Sequence, residues 1–286
     1  MSRRTPRLVS LALLCTGLCA SAEPKGRDIN PGILGANALP PAETNTPWVD
    51  SSFSVSLGNA FQISWPNGGA DLSGTIPFRL EVPFVGRFAL WADGSPLELY
   101  QYSRESVRAW APAHTDGGTR ADVTIGARML VSTGNDWVPE IGLRILVKTA
   151  TGEDLTTRRF LDAPAYQFDL LLGRRLELPL GQLELVVNIG YLSWQQGDVG
   201  QNDAFAASAR VSWERERLKL KLELRGYAGW EKDDSPVVIS AGAEWKLDQG
   251  VYLWGSFSQG LLDPPLSDLR FGLRFTGQAF SGLGLP

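Results

Sequence analysis

The single histidine of the chain, His114, is the first residue to test for catalytic chemistry. It lies in the stretch PAHTDGG, with Ser103, Ser106 and Asp116 nearby in the sequence. A histidine that accepts the proton of a serine hydroxyl turns that serine into a nucleophile, which is how many ester hydrolases work. Lipid hydrolases built this way keep the two residues in a short signature, and PAHTDGG contains no serine. We therefore expect no catalytic residue and interpret His114 as a solvated loop residue, with a His114-dependent hydrolase as the alternative.

The sequence contains little that would bind a metal ion or a cofactor. No group of histidine, aspartate and glutamate has the spacing of metal ligands, and both cysteines, Cys15 and Cys19, lie in the first 22 residues. Without residues 1–22, which carry three arginines and no acid, the chain has 24 basic and 31 acidic residues. We expect no metal site and no cofactor, and the absence of a basic run argues against nucleic acid as a partner.

A second group of residues has the composition of a polar ligand site. Trp194 and Gln195 end one predicted strand, and Gln201, Asn202 and Asp203 begin the next. An aromatic ring beside amides and a carboxylate can hold a sugar or another polar ligand. The same side chains can instead cap a loop by hydrogen bonds, and both interpretations stay open.

The elements that position these residues are predicted to be β-strands. The stretch RLKLKLELRG, residues 217–226, alternates leucine with charged residues. A period of two residues is typical of a strand with one apolar and one polar face. Such alternation predicts twelve strands, most of them near the ~10 residues of a tilted membrane-spanning strand. They are 53–65, 76–84, 88–91 with a continuation at 97–101, 121–131, 139–149, 165–175, 182–194, 203–213, 217–230, 236–247, 250–259 and 267–275.

The connections between the predicted strands differ in length by parity. Those after even strands are short, such as VGR and DQG, and those after odd strands are mostly longer, such as NGGADLSG and residues 93–120. Bacterial outer-membrane barrels combine short periplasmic turns with longer external loops. We therefore predict an all-β fold, a transmembrane antiparallel β-barrel of about 12 strands over residues 50–276. The alternative is a secreted soluble β-barrel whose leucines form the core.

The composition of the two faces predicts which one lines the interior. The polar face mixes charged residues with glycine and serine, which leave room for long side chains in a crowded lumen. The residues assigned to the lumen are Arg128, Arg144, Lys148, Arg210, Lys219, Lys221, Glu223, Arg225, Glu244, Arg270 and Arg274. Over the whole polar face we count twelve bases and seven acids, and because bases outnumber acids we expect a preference for anions. Two interfacial girdles are predicted from tryptophans near strand ends on the apolar face, at Trp65, Trp213, Trp230 and Trp245.

Both ends of the chain lie outside the predicted barrel. Residues 1–22 combine a basic start, a short apolar stretch and a small-residue cleavage site, which predicts a signal peptide. Residues 23–49 contain five prolines and no alternation, which predicts an extended arm, since proline donates no ladder hydrogen bond. Residues 277–286 are predicted to be a C-terminal extension, after an aromatic residue, Phe275, of the kind that the barrel-assembly machinery recognises.

Five segments of the chain carry a family resemblance: INPGILGANALP, VPEIGLRILVKTATGEDL, RRFLDAPAYQFD, YLSWQQGDVGQNDAF and GYAGWEKDDSP. They resemble a family of uncharacterised outer-membrane β-barrel proteins of Gram-negative bacteria, well represented in the Bacteroidetes. The resemblance implies an exported protein of the cell outer membrane and no known activity.

Barrel and resemblance together predict a porin-like channel or uptake protein for small polar solutes. Its expected partners are outer-membrane lipid, the barrel-assembly machinery and a small polar solute. The alternative in another functional class is a lumen-plugged barrel with a structural, binding or lipid-hydrolase role.

Overall fold

The computed structural model describes residues 41–65, 68–84, 86–110, 112, 114–152, 164–196, 200–229, 235–262 and 266–278. The strands in chain order are β1 (Ser52–Ser64), β2 (Asp71–Thr75), β3 (Phe78–Phe84), β4 (Phe88–Gly94), β5 (Glu98–Gln101), β6 (Asp116–Thr119), β7 (Thr124–Ser132), β8 (Glu140–Lys148), β9 (Ala165–Leu178), β10 (Gly181–Gln196), β11 (Gly200–Arg215), β12 (Leu218–Gly229), β13 (Val237–Asp248), β14 (Val251–Leu262) and β15 (Leu266–Gln278). A short helix, α1 (Arg104–Trp110), lies between β5 and β6.

Twelve of these strands close into one antiparallel barrel. Neighbours follow the order β1, β3, β4 and then β7 through β15, and β15 returns to pair with β1 from Ser52↔Gln278 to Ser64↔Leu266. Closure pairs the first and last strands, so the ring has no free edge. The predicted all-β barrel of twelve strands is confirmed.

Three further strands and the helix lengthen one side of the barrel. β2, β5 and β6 continue the sheet beyond the last part of β1. The start of α1 is fixed by Asp71, whose carboxylate accepts hydrogen bonds from the Ser103 amide at 2.6 Å and the Ser106 hydroxyl at 2.7 Å. Sequence analysis wrongly predicted loops for β2, α1 and β6, because segments of four to seven residues are too short to show a period. Within the described residues, the structure contains no helix with the length and apolar character needed to cross a membrane.

Side chains alternate between the outside and the inside of the barrel along each strand. On β12, Leu222 and Leu224 are 54% and 47% exposed, whereas Glu223 and Arg225 between them are buried. The strand period of two residues therefore sends leucines outward and charges inward. The outer surface is apolar along the strands, and the polar core lies in the bore.

Short connections gather at one end of the barrel, here named the turn end. Residues 179–180, 216–217 and 249–250 each join two strands there. The start of β1 and the end of β15 lie at the same end, since Ser52 pairs with Gln278. β15 thus continues two residues beyond the predicted barrel boundary at residue 276. Connections at the opposite end, here named the loop end, include the longest ones, such as residues 149–164 between β8 and β9, although the connection 133–139 at the turn end has seven residues.

Candidate functional site

The described part of the N-terminal arm lies inside the barrel. Residues 41–48, which we name the arm segment, precede β1 at the turn end, and Pro47 and Trp48 are buried. A glycine of the wall makes room for them, because a Cβ atom at Gly173 would lie only 2.7 Å from the Pro47 ring. The barrel wall and the arm segment therefore form the candidate site together.

Wall side chains hold the backbone of the arm segment. The carbonyl oxygens of residues 43, 44 and 45 accept hydrogen bonds from Arg144 Nη1, Arg210 Nη1 and Asn188 Nδ2, at 2.6, 2.8 and 2.9 Å. The amides of residues 44 and 45 donate to Glu223 Oε1 and Asn188 Oδ1, at 3.1 and 2.7 Å. Backbone groups taken out of water need such partners. The bore thus fixes three consecutive residues of the arm.

Side chains of the arm segment are bound as well. Arg128 Nη1 donates to Asn45 Oδ1 at 3.2 Å and to Thr46 Oγ1 at 3.3 Å. The Arg175 guanidinium carbon lies 4.7 Å from the ring centroid of Trp48, which is a cation–π contact. Polar contacts therefore hold the arm deep in the bore, and a stacked arginine holds it closer to β1.

Glu43 brings a negative charge into the bore. Its Oε1 lies 3.4 Å from Arg270 Nη1 and 4.0 Å from Arg225 Nη1. Desolvation inside the bore raises the pKa of Glu43, but the charges of Arg225, Arg270 and Arg79 outweigh it and lower the pKa to about 2. The carboxylate is therefore ionised at neutral pH, and the 57% of the side chain that faces open space favours the same charged form.

Most charges of the barrel wall are paired with each other. In the most buried pair, Arg144 Nε donates to Asp169 Oδ2 at 2.8 Å, with 1% of each side chain exposed. The other interior pairs are Arg79–Glu81, Arg128–Glu81, Lys148–Asp122, Lys219–Glu184, Lys221–Glu244, Arg225–Glu223, Arg270–Asp268 and Arg274–Glu244. Arg210 differs, since none of the described carboxylates lies within ion-pair distance of it, and it binds the Thr44 carbonyl instead. The bore is thus densely charged and nearly balanced.

An open cavity of about 530 Å³ remains beside the arm segment. Eight bases and seven acids among the described residues line it, so its formal charge is +1. The excess of bases is smaller than the sequence analysis expected, because Glu43, Asp93 and Asp268 also face this cavity. Its volume lies within the range of small-molecule sites, roughly 300–1,000 Å³.

The structure places the charged residues assigned to the lumen on the inner face of their strands. Five are buried and six are partly buried: Arg128, Arg144, Lys148, Glu223 and Arg225, then Arg210, Lys219, Lys221, Glu244, Arg270 and Arg274. All but Arg128 and Lys219 line the cavity. Arg128 binds the arm segment, and Lys219 pairs with Glu184 at 2.7 Å.

Of the five residues predicted to form a site at the mouth, three have described side chains, and Trp194 does not converge with the other two, Gln201 and Asp203. Antiparallel pairing sets Trp194 opposite Asn202 and Gln195 opposite Gln201, and alternate positions along a strand face opposite sides of the wall. Trp194 faces the bore, whereas Asp203 lies on the outer side, where Gln201 Nε2 donates to its Oδ1 at 2.8 Å. The side chains of Gln195 and Asn202 lie outside the described part of the structure. The structure therefore does not bring Trp194 and Asp203 together, because these neighbours in sequence lie on opposite faces of the wall, and a ligand site at the mouth stays a prediction.

Trp194 belongs instead to an apolar patch of the inner wall. It is 1% exposed, and its ring centroid lies 5.4 Å from that of Tyr227 at an interplanar angle of 57°. The patch is completed by Ala165, Leu192, Ala204 and Ala206. Its strands place it toward the loop end, where the buried Lys148–Asp122 ion pair also lies, since Lys148 pairs with Ala165.

The histidine and the serines considered for hydrolase chemistry have different surroundings. His114 is exposed in the connection between α1 and β6. The Ser106 hydroxyl donates to Asp71, and the Ser103 hydroxyl accepts a hydrogen bond from the Ser106 amide at 3.2 Å. Both serines thus stabilise the start of α1. Within the described residues, no group of three histidine, cysteine, aspartate or glutamate side chains is placed to hold a metal ion.

Three of the four predicted girdle tryptophans are described. Trp65 and Trp245 are 37% and 47% exposed, and Trp213 is partly buried. Trp65 follows β1 at the loop end, and the other two lie near the turn end. Trp230 lies outside the described residues. Trp137, which the sequence analysis did not assign, is 92% exposed in the connection between β7 and β8.

Several residues of the site were not found by sequence reasoning. Asn188 occupies an inward position of β10, so its place in the alternation was a usable signal. Asp268 likewise occupies an inward position, near the start of β15. Glu43, Thr44 and Asn45 had no such signal, since an arm without alternation does not reveal where it lies.

Comparisons with known proteins concern the fold. No family model matches the chain, and no curated protein matches it. An outer-membrane channel of Pseudomonas putida F1 is 13% identical over 83% of this chain and 97% of its own, with a TM-score of 0.59. The translocator domain of the autotransporter NalP from Neisseria meningitidis is 12% identical over 79% of this chain and 89% of its own, with a TM-score of 0.51. The chain therefore has the fold of outer-membrane β-barrels, and its resemblance to a Bacteroidetes-type family stays a prediction.

Proposed function

We propose that the protein is a porin-like channel of the cell outer membrane for small polar solutes, in which the arm segment narrows the bore. The observation that carries this proposal is a closed barrel with an apolar outer surface, a charged interior and an open cavity of about 530 Å³. An apolar band outside and a polar lumen suit a barrel in lipid. The fold shared with an outer-membrane channel supports the same function. Export by residues 1–22 and insertion by the barrel-assembly machinery belong to the proposal.

The charge of the cavity sets the expected selectivity. A formal charge of +1 in a confined, low-dielectric bore favours anions over cations. The excess is small because nearly every base has an acid beside it, so we propose only a modest preference for anions. Salt screens the charges, and the preference should therefore weaken as ionic strength rises.

The arm segment favours a second candidate, a barrel plugged by its own chain with a structural or binding role. The hydrogen bonds from Arg144, Arg210 and Asn188 hold the arm across the bore. If the arm segment closes the bore completely, solutes cannot cross, and the charged interior serves to hold the plug. None of the described contacts favours the hydrolase form of this alternative.

Conductance in planar lipid bilayers tests the proposal. The protein from residue 23 onward would be compared with a variant that lacks residues 23–48 and with a control that lacks only residues 23–40. The channel model predicts small current steps for the first, steps at least about twofold larger for the second, and steps like the first for the control. Current steps from the variant that lacks residues 23–48, with silence of the other two proteins, would refute the channel and support the plug, and silence of all three would refute both. Equal opening by both deletions would refute the role of the arm segment as the constriction.

A further inference from the structure

The carboxylate of Glu43 lies where two arginines of the wall meet in the bore. Arg225 projects from β12 and Arg270 from β15, and their Nη1 atoms lie 4.0 and 3.4 Å from Glu43 Oε1. Each arginine also binds an acid of its own strand, Glu223 at 3.0 Å and Asp268 at 2.6 Å. The wall alone therefore holds the two arginines in position, and the arm adds the negative charge of Glu43 between them.

The cations around Glu43 keep donor capacity that the described acids do not use. The Nε atom of Arg225 is buried and has no hydrogen-bond partner among the described residues, although only 6% of the side chain is exposed. Outside the contacts of Glu43, Arg210 binds the carbonyl of the next arm residue, Thr44, and its Nε atom is likewise buried with no hydrogen-bond partner among the described residues. Arginine forks with free N–H groups are the preferred protein partners of planar carboxylates.

We propose that the place of the Glu43 carboxylate is a binding site for the carboxylate group of a small solute, and that Glu43 is its built-in occupant. The inference rests on the proposed function, because a solute reaches this place only along the bore. It names the solute class of that channel as small organic monocarboxylates. The open cavity beside Glu43 accommodates the remainder of such a solute.

The neighbouring acids favour one negative charge over two. Glu223 and Asp268 lie against the same arginines and repel any anion that approaches them. A doubly charged phosphate meets this repulsion twice, whereas a monocarboxylate carries the same charge as Glu43. Removing Glu43 raises the formal charge of the cavity from +1 to +2. Binding of one singly charged anion in its place restores +1.

Glu43 competes with the solute because it belongs to the same chain. A group on a short tether has an effective concentration in the millimolar range. A free carboxylate must therefore reach such concentrations to displace it. The solute therefore binds at this site only when its own concentration reaches the millimolar range.

Ligand-observed NMR with butyrate tests the site in the detergent-solubilised barrel. Butyrate carries the carboxylate and methylene groups of a glutamate side chain, and butyramide is its neutral counterpart. The proteins would be the wild-type chain, Glu43→Gln, the double variant Glu43→Gln/Arg270→Gln, and Glu43→Gln/Arg217→Gln as a control at an exposed turn. Migration on gels with and without heating verifies that each variant is folded.

The site predicts that Glu43→Gln binds butyrate at least about fivefold more tightly than the wild-type chain, since the competitor has lost its charge. The control at Arg217 should keep this gain, Arg270→Gln should abolish it, and butyramide should not bind. An unchanged affinity in Glu43→Gln, or a gain that survives Arg270→Gln, would overturn the proposal. If Arg270→Gln does not fold, the comparison of Glu43→Gln with wild type decides alone. Butyrate binding by a protein that is silent in bilayers would refute the channel and leave the site standing.

Discussion

An arginine at Leu222 should destabilise the membrane-inserted barrel far more than an arginine one residue away. Leu222 lies near the middle of β12, is 54% exposed on the outer surface, and pairs with Val211 and Ala241 on the same face. An arginine on the lipid face near the bilayer midplane costs about 2–4 kcal/mol. This corresponds to roughly a 30- to 700-fold change in the folding equilibrium constant.

The matched control for Leu222→Arg is Lys221→Arg. Lys221 faces the bore and pairs with Glu244, so the substitution keeps an inward charge beside its partner. We expect a change below about 1 kcal/mol for the control. The free energy of unfolding would be measured by urea titration in phosphatidylcholine vesicles, with gel migration as the readout of folded barrel. Equal losses for the two variants would refute the assignment of leucines to lipid and lysines to the bore.

Two further predictions concern charges inside the barrel. Replacing Asp169 by Asn should lower the free energy of unfolding by about 3–5 kcal/mol, because it leaves the buried Arg144 without its charge partner; a loss below 1 kcal/mol in urea titration would contradict this. The pKa of Glu43 is lowered from 4.5 to about 2 in the folded chain, so its ion pairs contribute fully above pH 4.5 and are lost as the pH falls towards 2. Conductance of the full chain should therefore stay constant between pH 7 and 5, and a step within that range that is absent from Glu43→Gln would show that Glu43 titrates there.

The barrel was predictable because its signal is local and repeated. Each strand shows its alternation within about ten residues, and the lengths of the connections identify the two ends of the barrel. The stretch 217–226 illustrates this, since its leucines and charges lie on opposite faces of β12 as the period requires. Short segments without a period, such as β2 and β6, had no such signal.

The site was harder to predict because its contacts are distant in sequence. Asn45 meets Asn188 across 143 positions, and Thr44 meets Glu223 across 179. No periodicity encodes such a meeting. The mouth residues illustrate the opposite case, since Trp194 and Asp203 are close in sequence but face opposite sides of the wall.

The central claim is that the arm segment lies inside the barrel, and a designed disulfide tests this claim most directly. A chain that starts at residue 23 has no cysteine, so two can be introduced as Pro47→Cys and Gly142→Cys. A Cβ atom at Gly142 would lie 3.1 Å from Pro47 Cβ, so the two Cβ atoms need to move apart by only a few tenths of an ångström to reach the roughly 3.5–4.5 Å of disulfides. The control pairs Pro47→Cys with Leu143→Cys, because Leu143 is 48% exposed on the outer surface.

The folded barrel would be oxidised mildly, digested, and analysed by mass spectrometry for the linked peptides. An arm inside the bore predicts a disulfide between positions 47 and 142 in most molecules and little or none between positions 47 and 143. Free thiols at position 47 in the first variant, or equal linkage in both variants, would contradict an arm seated within the barrel.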